Sequence, residues 1–241
     1  MKILISLILS LGLLGSTYAK DAKDKTYSLL LSTKNTMVIR GSIGESSMVT
    51  AQMRLAELNR KRGYQKYKIY IVFDSPGGSI RDGEDFIDFA KTFRDIDTVT
   101  IFAASMASAI IQALPGRRFV THRGVQMYHR AKGGFRGQFE TGEVESALKL
   151  AKTLVRSMET RSARRIGLKL SDYKARVVNE WWLFGRENLD SNTADYTVQI
   201  KCSQSLIDKR ESSSTQGLFG SSTKIYSGCP LIRGSVPDME K

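Results

Sequence analysis

The sequence predicts an α/β domain on a largely parallel sheet, and three observations carry that reading. Apolar, β-branched runs alternate with segments whose apolar residues fall at helical spacing. Turns of glycine or alanine stand at the carboxyl ends of several runs, and one long amphipathic stripe follows the last of them. In such folds ligands bind at the carboxyl ends of the strands, so those turns are where chemistry is sought first.

Thr36 to Arg40 is a short β-like run ending at Gly41 and Gly44. From Ser46 to Arg62, Met48, Ala51, Leu55 and Leu58 recur at helical spacing, with Ser46 or Ser47 available as the cap. Ile69 to Phe73 reads as a buried strand and runs straight into Asp74-Ser75-Pro76-Gly77-Gly78-Ser79. A second helix is expected from Arg81 to Arg94, with Phe86, Phe89, Ala90 and Phe93 on one face. The strand Val99 to Phe102 passes through Ala103-Ala104-Ser105-Met106-Ala107 into an apolar helix stopped near Pro115-Gly116. Arg118 to Thr121 and Val125 to Tyr128 read as two further short strands, the second ending at His129. The glycine-rich stretch from Gly133 to Gly137 opens a long helix from about Glu140 to Arg165, striped by Val144, Leu148, Ala151, Val155 and Met158. Beyond Lys201 the serine-rich sequence lacks periodicity and reads as loop.

The chain begins with Lys2, an apolar run from Ile3 to Leu14, and small residues at Thr17 and Ala19. The run is short of the ~20 residues a spanning helix needs, so it reads as a signal peptide cut after Ala19, with export to the periplasm or medium. Three parts are expected: a signal at 1–19, a single folded domain at 20–200, and a serine-rich C-terminal extension at 201–241. In an oxidising compartment Cys202 and Cys229 can pair, and closing the loop between them contributes about 3–4 kcal/mol by the chain-entropy estimate. The net charge of +13 is spread along the chain, which describes a solvated basic surface, and no nucleic-acid partner is expected. No CxxC pair, histidine-rich cluster or phosphate-binding loop is present, so neither a metal nor a cofactor is expected.

Ser105 stands at a strand-to-helix junction flanked by alanines, where the backbone can turn tightly and leave a hydroxyl open. A serine needs a base, and the chain has two histidines, His122 and His129. His129 ends an apolar strand, whereas His122 sits beside Arg123-Gly124 in a turn, which favours His129. Gly77 and Gly78 let backbone amides approach a ligand closely and donate to an oxyanion, and the Met106 amide offers a second donor.

Four ordered segments then resemble the signatures of the Clp protease proteolytic subunit. They are Asp74-Ser75-Pro76-Gly77-Gly78-Ser79-Ile80, Ala103-Ala104-Ser105-Met106, Val125-Gln126-Met127-Tyr128-His129 and Gly133-Gly134-Phe135-Arg136-Gly137-Gln138. The resemblance covers roughly Thr36 to Val198. It implies a ClpP/crotonase-like fold with repeated strand-strand-helix units and a long handle helix, and a serine endopeptidase cutting peptides or unfolded proteins. It implies Ser105 as nucleophile, His129 as base, Gly78 and Met106 as oxyanion donors, and Ile80 as a position where substrate backbone is held as an added strand, with Gly77 beside it as a further substrate-binding residue. It also implies a ring-like homo-oligomer paired through the long helix.

Counting from Gly167, Glu180 falls where the family usually has its triad aspartate, with Asp172 and Asn179 as alternatives. Ile101 and Ala107 replace glycines that usually surround the family's serine. An exported chain would not meet a cytosolic ATPase unfoldase, so cleavage without ATP is expected. An inactive Clp-like binding module and a serine-lysine enzyme using Lys132 or Lys152 are the competing readings.

Overall fold

The computed structural model describes residues 25–65, 67–132, 140–217, 220–232 and 234. The expected signal peptide and the glycine-rich motif at 133–137 lie outside the described residues.

Among the described residues seven strands form one sheet, six of them in the order β1-β7-β5-β4-β3-β2. These are β1 (Thr26–Leu31), β2 (Thr36–Ile43), β3 (Ile69–Gly78), β4 (Ile96–Ala104), β5 (Arg118–Tyr128) and β7 (Tyr196–Cys202). All neighbours in that order run parallel. The short strand β6 (Trp181–Phe184) adds antiparallel to the far end of β5.

Successive strand residues point to opposite faces, so Ile71 and Phe73 join one core while Val72 joins the other. The first core lies under α1 (Glu45–Arg62), α2 (Ile80–Lys91) and α3 (Met106–Ala113), and takes in Leu55, Leu58, Phe86, Ile110 and Ile111. The second includes Val99, Phe119 and Val198, and is closed by Leu206 of α7 (Gln204–Asp208). Burial on both faces is why the strand sequences read as continuous apolar runs. The long helix α4 (Thr141–Ile166) is followed by α5 (Leu170–Arg176), and α6 (Glu187–Asp190) lies between β6 and β7. The mixed α/β architecture with a mostly parallel sheet is the one the sequence predicts.

Four local differences have plain causes. Helix α1 has Gly44 as its N-cap, whose N–H donates to Ser47 Oγ at 3.0 Å, so Ser47 acts from inside the first turn rather than as the cap. The two short strands expected around His122 are one strand, β5, whose register against β4 shifts between Val120 and Val125. There Gly124 packs where a Cβ would lie 2.7 Å from the Thr100 carbonyl oxygen, while His122 and Arg123 bow out to solvent. The extension is not loop throughout: β8 (Arg210–Gly217) and β9 (Gly220–Ser227) form an antiparallel hairpin. Its alternating serines, threonines and charges carry no apolar period, so only strand pairing reveals it. The boundary at 200 falls inside β7, which runs on to Cys202, and Cys202 is bonded to Cys229.

Candidate active site

Ser105 is the junction between β4 and α3, and its backbone sits at φ 57° and ψ −122°, a region non-glycine residues rarely occupy. Three hydrogen bonds hold it there. Ser105 N–H donates to the Met127 carbonyl at 2.9 Å, Ala109 N–H donates to the Ser105 carbonyl at 3.1 Å, and Ser108 Oγ donates to the Ala103 carbonyl at 2.7 Å. The small residues at 103, 104 and 107 are buried, which lets helix and strand meet at so sharp an angle. The Ser105 hydroxyl does not cap its own helix. It lies 2.7 Å from His129 Nε2 instead.

His129 follows the last residue of β5, and its placement is set by that strand's buried neighbours. Tyr128 Oη donates to Gln126 Oε1 at 2.5 Å and accepts from Gln112 Nε2 at 2.7 Å. Gln112 lies on α3, the helix that Ser105 begins, and also reaches the Thr193 carbonyl at 2.9 Å. Arg118 Nη1 donates to Gln112 Oε1 at 2.5 Å, and Arg118 is itself paired with Asp195. Burial pushes the Tyr128 phenol far above its usual range, so it stays a neutral hydrogen-bonding group. This network binds α3 to β5 and thereby sets the spacing between Ser105 and His129. Sequence reading missed Gln112, although a lone amide within the apolar run Ala107 to Leu114 was a signal for it.

The glycine turn closes on the same point. Gly77 has φ 90°, and a Cβ there would meet Ala104 O at 2.4 Å, Met106 N at 2.8 Å and Ser105 Cβ at 2.8 Å. Gly78 has φ 151° and presses against the Ile43 carbonyl in the same way. Glycine is therefore required at both positions, at Gly77 because the turn abuts Ser105. Met106 is the first residue of α3, so its amide has no partner within the helix and faces the turn. Ile80, Ala109, Tyr128, Met158 and Tyr173 line a small pocket around Ser105 and His129. Burial also raises the Tyr173 phenol well above its usual range.

The acid side is arranged differently. The antiparallel register pairs Tyr128 with Trp181, so the next residues out along the two chains are His129 and Glu180. Arg130 N–H also donates to the Val177 carbonyl at 3.3 Å, tying the two segments together. Yet the Glu180 carboxylate turns away: it accepts from Trp182 Nε1 at 3.2 Å and lies 3.6 Å from Lys132 Nζ. His129 Nδ1 is buried and has no hydrogen-bond partner among the described residues. The expected contact of Glu180 with His129 is thus not made in this chain by itself, because a positive φ of 61° and two other partners hold the carboxylate outward. Asp172 bonds Ser171 Oγ in the exposed first turn of α5, and Asn179 is exposed. Lys132 is 77% exposed, Lys152 is on the exposed side of α4, and His122 is at the bowed part of β5.

The family model for Clp protease matches residues 19–198 of this chain. The chain belongs to the Clp protease family. It is 28% identical over 136 residues to the ATP-dependent Clp protease proteolytic subunit 1 of Prochlorococcus marinus subsp. pastoris, covering 55% of this chain and 68% of that protein. To the subunit 1 of Leifsonia xyli subsp. xyli it is 28% identical over 134 residues, covering 54% and 67%. With the ATP-dependent Clp protease proteolytic subunit of Nephroselmis olivacea it shares 34% identity over 85 residues, 32% of this chain and 41% of that one. The chain thus aligns with about two-fifths to two-thirds of these relatives' lengths. The family match ends four residues before Cys202, so the disulfide and the hairpin lie beyond it.

Proposed function

We propose that this Clp family member is a serine endopeptidase that hydrolyses peptides or already unfolded chains. The observation that carries the reading is the Ser105 Oγ to His129 Nε2 distance of 2.7 Å at a strained strand-to-helix turn, with Gly77 and the Met106 amide packed beside it.

In this reading Ser105 Oγ attacks the scissile carbonyl as its proton passes to His129 Nε2. The oxyanion is received by the Gly78 and Met106 amides, the Met106 amide standing beside Ser105 at the start of α3 and Gly78 following the turn that packs on it. His129 returns the proton to the leaving amine, and water then cleaves the acyl-enzyme by the same route. Glu180 is the acid that supports the imidazolium. It stands one residue past the paired Tyr128 and Trp181, within reach of His129 Nδ1 once it leaves Lys132 and Trp182. The edge beyond Gly78, with Ile80 at the pocket, takes substrate as an added strand.

Family membership supports assembly into an oligomeric ring, and the exposed Leu148 and Leu150 on α4 fit a helix that pairs with another copy. Export through residues 1–19 is part of the same proposal, and the Cys202–Cys229 disulfide is consistent with an oxidising compartment. Turnover without an ATPase follows from that location. A fluorophosphonate probe should label the wild type and not Ser105→Ala, with peptide hydrolysis lost in parallel. The outward Glu180 favours a second reading, an inactive binding module, and an unlabelled but folded wild type would establish it.

A further inference from the structure

We propose that Arg40 is a positioning residue through which the disulfide-closed C-terminal segment braces the oxyanion turn. This deepens the peptidase reading and rests on it for its kinetic consequence.

Arg40 is near the end of β2, directly beside Asp74 on β3, the residue from which the chain runs into Ser75-Pro76-Gly77-Gly78. An arginine whose side chain is 15% exposed needs compensation for its charge, and three groups surround it, with Nη1 hydrogen-bonded and Nε and Nη2 making no hydrogen bond among the described residues. Its Nε lies 3.9 Å from Asp74 Oδ2, its guanidinium is 4.8 Å from the centre of the Tyr226 ring, and Nη1 donates to the Ser227 carbonyl at 3.4 Å. Two of the three belong to the end of β9. That end is anchored: Ser227 and Cys229 are buried, Ser227 Oγ donates to the Ile207 carbonyl at 2.6 Å, and Cys229 is bonded to Cys202 at the end of β7.

On the other side of Arg40 the contacts lead into the site. Asp74 is followed by the fully buried Ser75, whose Oγ accepts from Gly77 N–H at 3.1 Å. Gly77 in turn packs on Ser105 and Met106. Arg40 therefore sits between a segment closed by a covalent bond and the strand end that supplies an oxyanion donor. Removing the brace leaves nucleophile and base in place, since Ser105 and His129 are fixed by β5 and α3, but lets the donor drift.

The test is amide hydrogen exchange at Gly77 and Gly78 in the full chain, with Arg40→Leu, Tyr226→Leu and the disulfide-reduced wild type against the oxidised wild type. All three should speed exchange at these amides about tenfold while leaving the α3 amides unchanged. The same forms should lose about tenfold in kcat per fluorophosphonate-titrated site with KM unchanged, less than the 10²–10³-fold of deleting a donor outright. Arg40→Lys should recover part of both. Unchanged exchange at Gly77 and Gly78 in all three forms overturns the inference. A wild type that takes no fluorophosphonate refutes the peptidase reading instead, and the exchange measurement still decides the brace.

Discussion

The two sides of His129 are built to different standards. On the nucleophile side, Ser105 is fixed by backbone bonds to β5 and to its own helix, and Gln112, Tyr128, Gln126 and Arg118 form a buried network behind it. On the acid side, Glu180 lies on a short edge connection with a carboxylate 41% exposed, held by an exposed lysine and an indole N–H. Buried bonds over-determine a geometry, whereas exposed ion pairs are worth about 1 kcal/mol or less and exchange readily. Ser105 and His129 are therefore set relative to each other within the single chain, and the Glu180 carboxylate is the part least fixed by it.

The contrast can be broken at its strong end first. Ser105→Ala should cost at least about 10⁴-fold in peptide turnover, measured as kcat with the fold checked by circular dichroism. Gly77→Ala comes next. Its Cβ would sit against the Ala104 carbonyl, the Met106 amide and Ser105, and at φ 90° alanine is itself strained. The variant should lose both fluorophosphonate labelling and thermal stability, and a wild-type labelling rate would mean that the turn does not abut the nucleophile.

On the acid side, Glu180→Gln should lower kcat by about 10²-fold or more, with little change in melting temperature because the side chain is exposed. Full turnover by that variant removes Glu180 from the triad. Lys132→Ala should have a smaller and opposite effect, raising kcat severalfold by releasing the carboxylate toward His129 Nδ1.

The smallest effect on activity belongs to Asp195. Burial raises its pKa, but the hydrogen bonds and charge of Arg118 outweigh that and hold it below the usual carboxylate value. A depressed folded pKa means stabilisation that is present above the unfolded value, near pH 4, and lost as pH falls through the folded one. Asp195→Asn should thus be clearly less stable than wild type in urea melts at neutral pH, with the difference shrinking in acid. A constant difference across that range would contradict the pairing.

Much of the site is legible in the sequence because its parts are local. The alanines around Ser105, the glycine pair and the strand before His129 are contiguous signatures, and folding brings them to one point. The network around Gln112 is not legible there, since its partners at Tyr128, Arg118 and Thr193 are scattered along the chain and meet only when α3 packs on β5. The hairpin is hidden for another reason. Its strands are polar, so pairing and the disulfide, rather than an apolar period, define them.

What the sequence determined by itself was the alternation of strands and helices, the glycines that allow the turn beside Ser105, and the candidate pair Ser105 and His129. Each depends on side-chain type at a local spacing. Only the tertiary structure decided where Glu180 points, because His129 and Glu180 are separated by the whole of α4 and come abreast through the register of β5 with β6. The contact between Arg40 and the C-terminal segment was decided the same way. Charge and reach are encoded in the residue, but its partner is chosen by the packing of distant segments.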